Sequence, residues 1–214
     1  MKKKLLSIAI MYISVTYAQE MPEPYRSVID LPEDTHNWFS NYNKRNLEIL
    51  IQELQPKVVV ELGSWLGASA IFMASRLPEG SVLYAVDDWT ANTDTSIQAD
   101  KSVQQKLSTL YQQFLSNVKI HKLSHIIVPI RMKTLEAARS LAVRANLIYV
   151  DASHDEESVY QDIMSWHEKL EENGVICGDD WDAPSVQAGV KRAAHALNTT
   201  IASDGSFWSF PPKK

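Results

Sequence analysis

Apolar side chains at Leu47, Leu50, Ile51 and Leu54 recur at the spacing of one helix face, and Pro56 stops the helix they predict over Asn43 to Leu54. The period then changes. Val58, Val59 and Val60 form a β-branched run closing on Glu61, the pattern of a strand buried on both faces. SAIFMASRL reads as the next helix, closed by Pro78 and Gly80, and SVLYAVDDW as a second strand ending in acids. TANTDTSIQAD has loop composition. After it, Val103, Leu107, Leu110, Tyr111, Phe114, Leu115 and Val118 mark one apolar face of a long helix. HIIVPI predicts a third strand, strained or near an end at Pro129, and TLEAARSLAVRA a helix. NLIYVD is a fourth strand, DEESVYQDIMSWHEKL a helix, NGVICGDD a fifth strand, and APSVQAGVKRAAHAL a last helix with Pro184 suited to its first turn. TTIASDG and SFWSFPP read as two short strands around the hairpin signal Asp204-Gly205.

Five alternating strand–helix units predict an α/β fold: a doubly wound, mostly parallel seven-stranded sheet whose closing hairpin adds an antiparallel C-terminal edge. Ligands of such sheets bind outside the carboxyl ends of the strands. Polar residues stand at those ends here: Glu61, Asp87 with Asp88, Asp151, and Asp179 with Asp180.

Composition narrows the setting. At 214 residues, 45% hydrophobic and 22% charged, the chain suits one globular domain. A net charge of −5 without a basic block argues against a nucleic-acid partner. Cys177, the single cysteine, reads as a small core residue. The opening MKKKLLSIAIMYISVTYAQE has the form of an export signal cleaved after Ala18, which predicts a periplasmic or secreted protein with no stable membrane span after cleavage. The alternatives are an uncleaved anchor or a buried N-terminal helix, with the protein then cytoplasmic. Residues 1–18 are thus the expected signal, 19–56 a lead-in and helix, and 57–214 the α/β domain.

Gly63 and Gly67 separate the first strand from its helix, where glycine tolerates positive φ and lets a ligand approach the backbone. A dinucleotide fingerprint would want three glycines spaced G-x-G-x-x-G, a pattern this loop lacks. Asp87 could accept both hydroxyls of a ribose or merely cap its loop. Asp151, Asp179 and Asp180 close neighbouring strands, and three convergent carboxylates would repel unless a cation neutralised them. Oxygen donors suit Mg²⁺ or Ca²⁺; the bland alternative is helix capping.

VVVELGSWLGASAIFMASRL, LYAVDDW, LIYVDASH and GVICGDDW together resemble class I S-adenosylmethionine-dependent methyltransferases, above all the small metal-dependent catechol and caffeoyl-CoA type O-methyltransferases and related bacterial enzymes. The resemblance implies a Rossmann-like fold. It also implies that Glu61, Gly63, Ser64 and Gly67 line the methionine part of S-adenosyl-L-methionine, that Asp87 holds its ribose, and that Asp88 or Trp89 borders the adenine. Asp151 would serve cofactor and metal alike, with Asp179 and Asp180 completing the metal set. Where the metal-dependent members carry a lysine, this chain has His154, whose unperturbed pKa of ~6.5 lets it act as a neutral base. It could instead cap a helix or bind the metal. Trp89 and Trp181 are candidates to cover the substrate.

The expected activity is therefore metal-assisted O-methylation of a small-molecule hydroxyl, with His154 taking the proton and alignment supplying most of the rate. The competing expectation is an exported binding protein that keeps the fold without turnover. A homodimer stays open.

Overall fold

The computed structural model describes residues 21–91 and 101–214, so the predicted signal, residues 1–18, and most of the loop after Trp89 lie outside the described residues. Seven strands form one sheet: β1 (Val58–Leu62), β2 (Val82–Asp87), β3 (Ile127–Arg131), β4 (Ala145–Val150), β5 (Leu170–Gly178), β6 (Ala202–Asp204) and β7 (Phe207–Ser209). Their order is β3-β2-β1-β4-β5-β7-β6. The first five are parallel, and β7 is antiparallel to both β5 and β6. The predicted closing hairpin is present, but its second strand, not its first, docks on β5.

The helices are α1 (Asn41–Leu54), α2 (Ala68–Ala74), α3 (Lys101–Gln104), α4 (Leu110–Ile120), α5 (Thr134–Ser140), α6 (Glu156–His167) and α7 (Pro184–Ala196). Ser40 caps α1 by accepting the Asn43 N–H, Asp155 caps α6 through the Ser158 N–H, and Pro184 opens α7. The long helix expected over 103–118 is broken. Residues 105–109 tighten into i→i−3 turns, Lys106 N–H to Val103 C=O and Thr109 N–H to Lys106 C=O, and Leu107 is left exposed. Ser108 and Thr109 are poor helix formers, and Lys106 pairs with Asp34 of the lead-in instead of continuing the turn. The helix after β3 also stops early, at Ser140, because Leu141 turns extended.

Two apolar layers cover the sheet. Val59, Leu83, Leu147 and Val175 meet Leu47, Ile51, Met73 and Phe114 on the face of α1, α2 and α4. Val60, Leu62, Ile148 and Ile176 meet Val159, Ile163, Trp166 and Val190 on the other. Strand parity then fixes one unusual burial: Glu61 follows Val59 on the first face, beside Ala85 and Tyr149 in register. Cys177 lies buried on that face, as composition predicts, and burial pushes its thiol up.

Candidate active site

The ends of β1, β2, β4 and β5 are tied together by backbone hydrogen bonds: Gly63 N–H to Val86 C=O at 2.8 Å, Asp151 N–H to Leu62 C=O at 2.8 Å, and Asp179 N–H to Val150 C=O at 3.1 Å. Gly63 has φ +83°, and a Cβ there would stand 2.0 Å from the Asp151 carbonyl oxygen. Gly67, at φ +90°, caps α2 and packs against Phe114. These two glycines therefore bring strand ends and helix close enough to leave one continuous hollow above them.

That hollow is a cavity of about 670 Å³, walled by Gly63, Ser64, Asp87, Asp88, Asp151, His154, Asp179 and Asp180 among the residues expected from sequence. Glu61 lies one layer beneath. It is 0% exposed, neither oxygen has a hydrogen-bond partner, and burial lifts its carboxyl to about 7. The Ser64 and Ser69 hydroxyls, which do line the cavity, ease that cost without completing a hydrogen bond.

Asp87 is engaged already. Its Oδ2 accepts the Trp65 N–H at 2.9 Å and its Oδ1 the Trp89 N–H at 2.6 Å; burial, partly offset by those donors, raises its pKa to about 6. Asp88 accepts the Thr90 N–H and hydroxyl and so closes its own loop. On the opposite wall His154 Nε2 lies 2.9 Å from Asp180 Oδ2. Donor atoms of Asp151, His154 and Asp180 all lie within 4.8 Å of one another. Asp179 stands outside that group: its Oδ1 accepts the Asp180 N–H at 2.7 Å, and burial raises its pKa. Asp180 is held at φ +59°, a strained setting for a non-glycine residue. Burial drives the Asp151 carboxyl well above the usual range, and the charges of Asp179, Asp180, Glu61 and Asp87 push it further.

The aromatic wall differs from expectation. Trp89 is a core residue, its indole N–H on the Trp65 C=O and its ring 4.7 Å from Tyr111 and 4.8 Å from Phe114. Trp181 packs on the second apolar layer beneath Lys191. The rings that line the cavity are Trp38, Phe39 and Trp65. Trp65 reaches His36 edge to edge, and Trp38 stacks at 5.5 Å from Trp65 and 4.2 Å from His36. Buried Asn117 anchors this lead-in, taking the Asp34 N–H and giving its amide to the Asp34 and Leu66 carbonyls. A segment without period leaves no sequence signal for such a role.

Asp162 was also missed, although Val159, Asp162, Ile163 and Trp166 fall on one helical stripe and so mark it as a polar residue on a buried face. It is 3% exposed and burial raises its pKa to about 7. The folded state therefore holds this proton more tightly than the unfolded chain, so its contribution is full below about pH 4 and is lost as pH rises to about 7. Asp162→Asn should leave stability unchanged near pH 4 and raise it by on the order of 1–3 kcal/mol at pH 8, read from urea midpoints. An equal effect at both pH values would show that burial of the charge is not what costs stability.

A sheet ordered 3-2-1-4-5-7-6 with a glycine loop after its first strand and acids at the ends of β1, β2, β4 and β5 is the class I methyltransferase architecture. Residues 60–181 match the family described as "Methyltransferase domain", and the chain belongs to that family. Among solved structures, a candidate O-methyltransferase from Klebsiella pneumoniae is similar at TM-score 0.61 and 18% identity, covering 85% of this chain and 84% of that one. An O-methyltransferase from Bacillus cereus bound to S-adenosylhomocysteine is similar at TM-score 0.60 and 17% identity, covering 84% of each chain. One from Streptomyces achromogenes, involved in tomaymycin synthesis and bound to S-adenosylmethionine, is similar at 0.60 and 15%, covering 82% of each. No curated protein matches the chain.

Proposed function

We infer that the protein transfers a methyl group from S-adenosylmethionine to a hydroxyl of a small-molecule acceptor. The observation that carries this is the cavity over the strand ends, where Asp87, Asp88, Asp151, Asp179, Asp180 and His154 line the wall and Glu61 sits beneath it without a partner. Carboxylates gathered in low dielectric call for a cationic ligand, and this cofactor brings a sulfonium and an ammonium group. Asp87 accepts the ribose hydroxyls on its free lone pairs, while Gly63, Ser64 and Gly67 let the methionine end lie on the loop above Glu61.

The acceptor hydroxyl then docks against Asp151, His154 and Asp180. His154, oriented by Asp180, takes the proton as the oxygen attacks the methyl carbon, the C–S bond breaks, and S-adenosylhomocysteine leaves neutral at sulfur. Holding both reactants in line supplies most of the acceleration. Asp151 and Asp180 are the residues that fit a divalent cation best, being shared by the set expected from sequence and the set the structure gathers. When bound, such an ion supplies positive charge that eases ionisation of the hydroxyl. A second reading follows from the imidazole being within the same 4.8 Å group: His154 as third ligand, with mixed nitrogen and oxygen donors favouring Mn²⁺ over Mg²⁺.

Calorimetric titration of S-adenosylhomocysteine tests the cofactor assignment, with micromolar binding expected. Absence of binding with and without divalent ion would remove the reading. Repeating the titration with Mg²⁺, Mn²⁺ and the Asp180→Ala variant separates the metal readings: an ion effect lost in Asp180→Ala supports a bound cation, and a response to Mn²⁺ alone favours the histidine-containing set.

A further inference from the structure

The mechanism above leaves the buried acid Asp162 unused. Asp162 belongs to α6, lines the cavity, and carries an Oδ1 with no hydrogen-bond partner. Buried polar atoms are nearly always satisfied, so an orphaned carboxylate oxygen at a cavity wall marks a place for a donor from a ligand. Its position says which part of the ligand. The β2 end bearing Asp87 is bonded to the segment leaving β3, Met132 N–H to Asp87 C=O at 3.1 Å. From Met132 that segment runs through Lys133, Thr134 and Leu135 along the cavity. Asp162 lies beside it: Thr134 and Asp162 line the same cavity, and Trp166, one turn on, donates its indole N–H to the Thr134 carbonyl at 3.1 Å.

A ribose held on Asp87 thus points its base outward across the sheet, from β2 toward the segment that follows β3, with Asp162 as the next polar group on that path. His154, Asp151 and Asp180 lie the other way, over β4 and β5. We propose that Asp162 reads the purine of the cofactor by accepting a hydrogen bond from its exocyclic amine, so that this helix residue sets the selection of adenine. The proposal rests on the cofactor reading above. An ionised carboxylate has no proton to donate and can only accept, so at pH 8 a base presenting a carbonyl at that position meets oxygen against oxygen. An asparagine, able to turn either its oxygen or its amide outward, would tolerate both.

The test is calorimetric titration at pH 8 of S-adenosylhomocysteine and of its analogue with hypoxanthine in place of adenine, into the protein and into Asp162→Asn. The protein is expected to prefer adenine by at least about 30-fold, and the variant to bind the two within about threefold of each other, because an unmet buried acceptor is what penalises the wrong base. If the protein binds adenine and hypoxanthine forms alike, or if Asp162→Asn keeps the full preference, the proposal is overturned while the cofactor reading stands. If the protein binds neither compound, both fall together. Should Asp162→Asn fail to fold, Asp162→Glu, which keeps the acceptor but moves it, is expected to weaken the adenine form alone. Equal weakening of both forms would overturn the proposal.

Discussion

Asp87→Ala should weaken S-adenosylhomocysteine binding by about 100-fold or more. Two losses combine. The variant removes the acceptor for the ribose hydroxyls, at about 1.5–3 kcal/mol for each hydrogen bond to a charged group. It also frees the Trp65 and Trp89 amides, which the carboxylate holds in left-handed conformations at φ +46° and +52°. Losing that clasp loosens the glycine loop that the cofactor must lie on, and left-handed tryptophans persist only where their surroundings fix them. Asp87→Asn tells the two losses apart, since it keeps one acceptor oxygen but turns an amide against the other backbone N–H. It should bind with intermediate affinity. Affinity within threefold of the parent in Asp87→Ala would mean that the ribose is held elsewhere.

Gly63→Ala is expected to be the most damaging single substitution for stability, costing about 4 kcal/mol or more. A methyl group would overlap the Asp151 carbonyl oxygen at 2.0 Å and crowd the Ala152 Cα at 2.6 Å. Neither atom can retreat, because the Asp151 N–H is bonded to the Leu62 carbonyl and the two strands move as one ladder. Gly80→Ala is the control. Gly80 also has positive φ, at +76°, but a Cβ there meets nothing within 4 Å, so its cost should be only about 1–2 kcal/mol for the left-handed backbone. Urea denaturation of both variants reads the difference directly. Equal losses would show that conformation, not the close approach of β1 to β4, explains the glycine.

The acids were legible because each ends a strand: once Val58–Val60, SVLYAVD, NLIYVD and NGVICG read as strands, Glu61, Asp87, Asp151 and Asp179 must gather at one edge of a parallel sheet. Periodicity carries no account of which carboxylate faces which neighbour. Glu61 accordingly sits beneath the wall, while Asp179 lines the cavity but spends its Oδ1 on the Asp180 N–H and stays outside the group of Asp151, His154 and Asp180. The aromatic wall escaped for the same reason. His36, Trp38 and Trp65 meet only because Asn117 of α4 ties the lead-in to the glycine loop, and a bond spanning 83 residues leaves no local pattern. The split between α3 and α4 was hidden in another way, since an apolar face looks continuous whether or not the backbone tightens beneath it.

Pro129 has a consequence at the far rim of the sheet. Leu83 N–H bonds the Ile126 carbonyl, so on β3 it is Ile127 and Pro129 whose backbone groups point away from β2. The Ile127 carbonyl is taken by the Tyr25 hydroxyl at 2.8 Å, and proline has no N–H to offer. A foreign strand arriving at this border would find its first acceptor occupied and its next donor missing. Tyr25 and Pro129 thereby blunt the open β3 edge against pairing with a further strand.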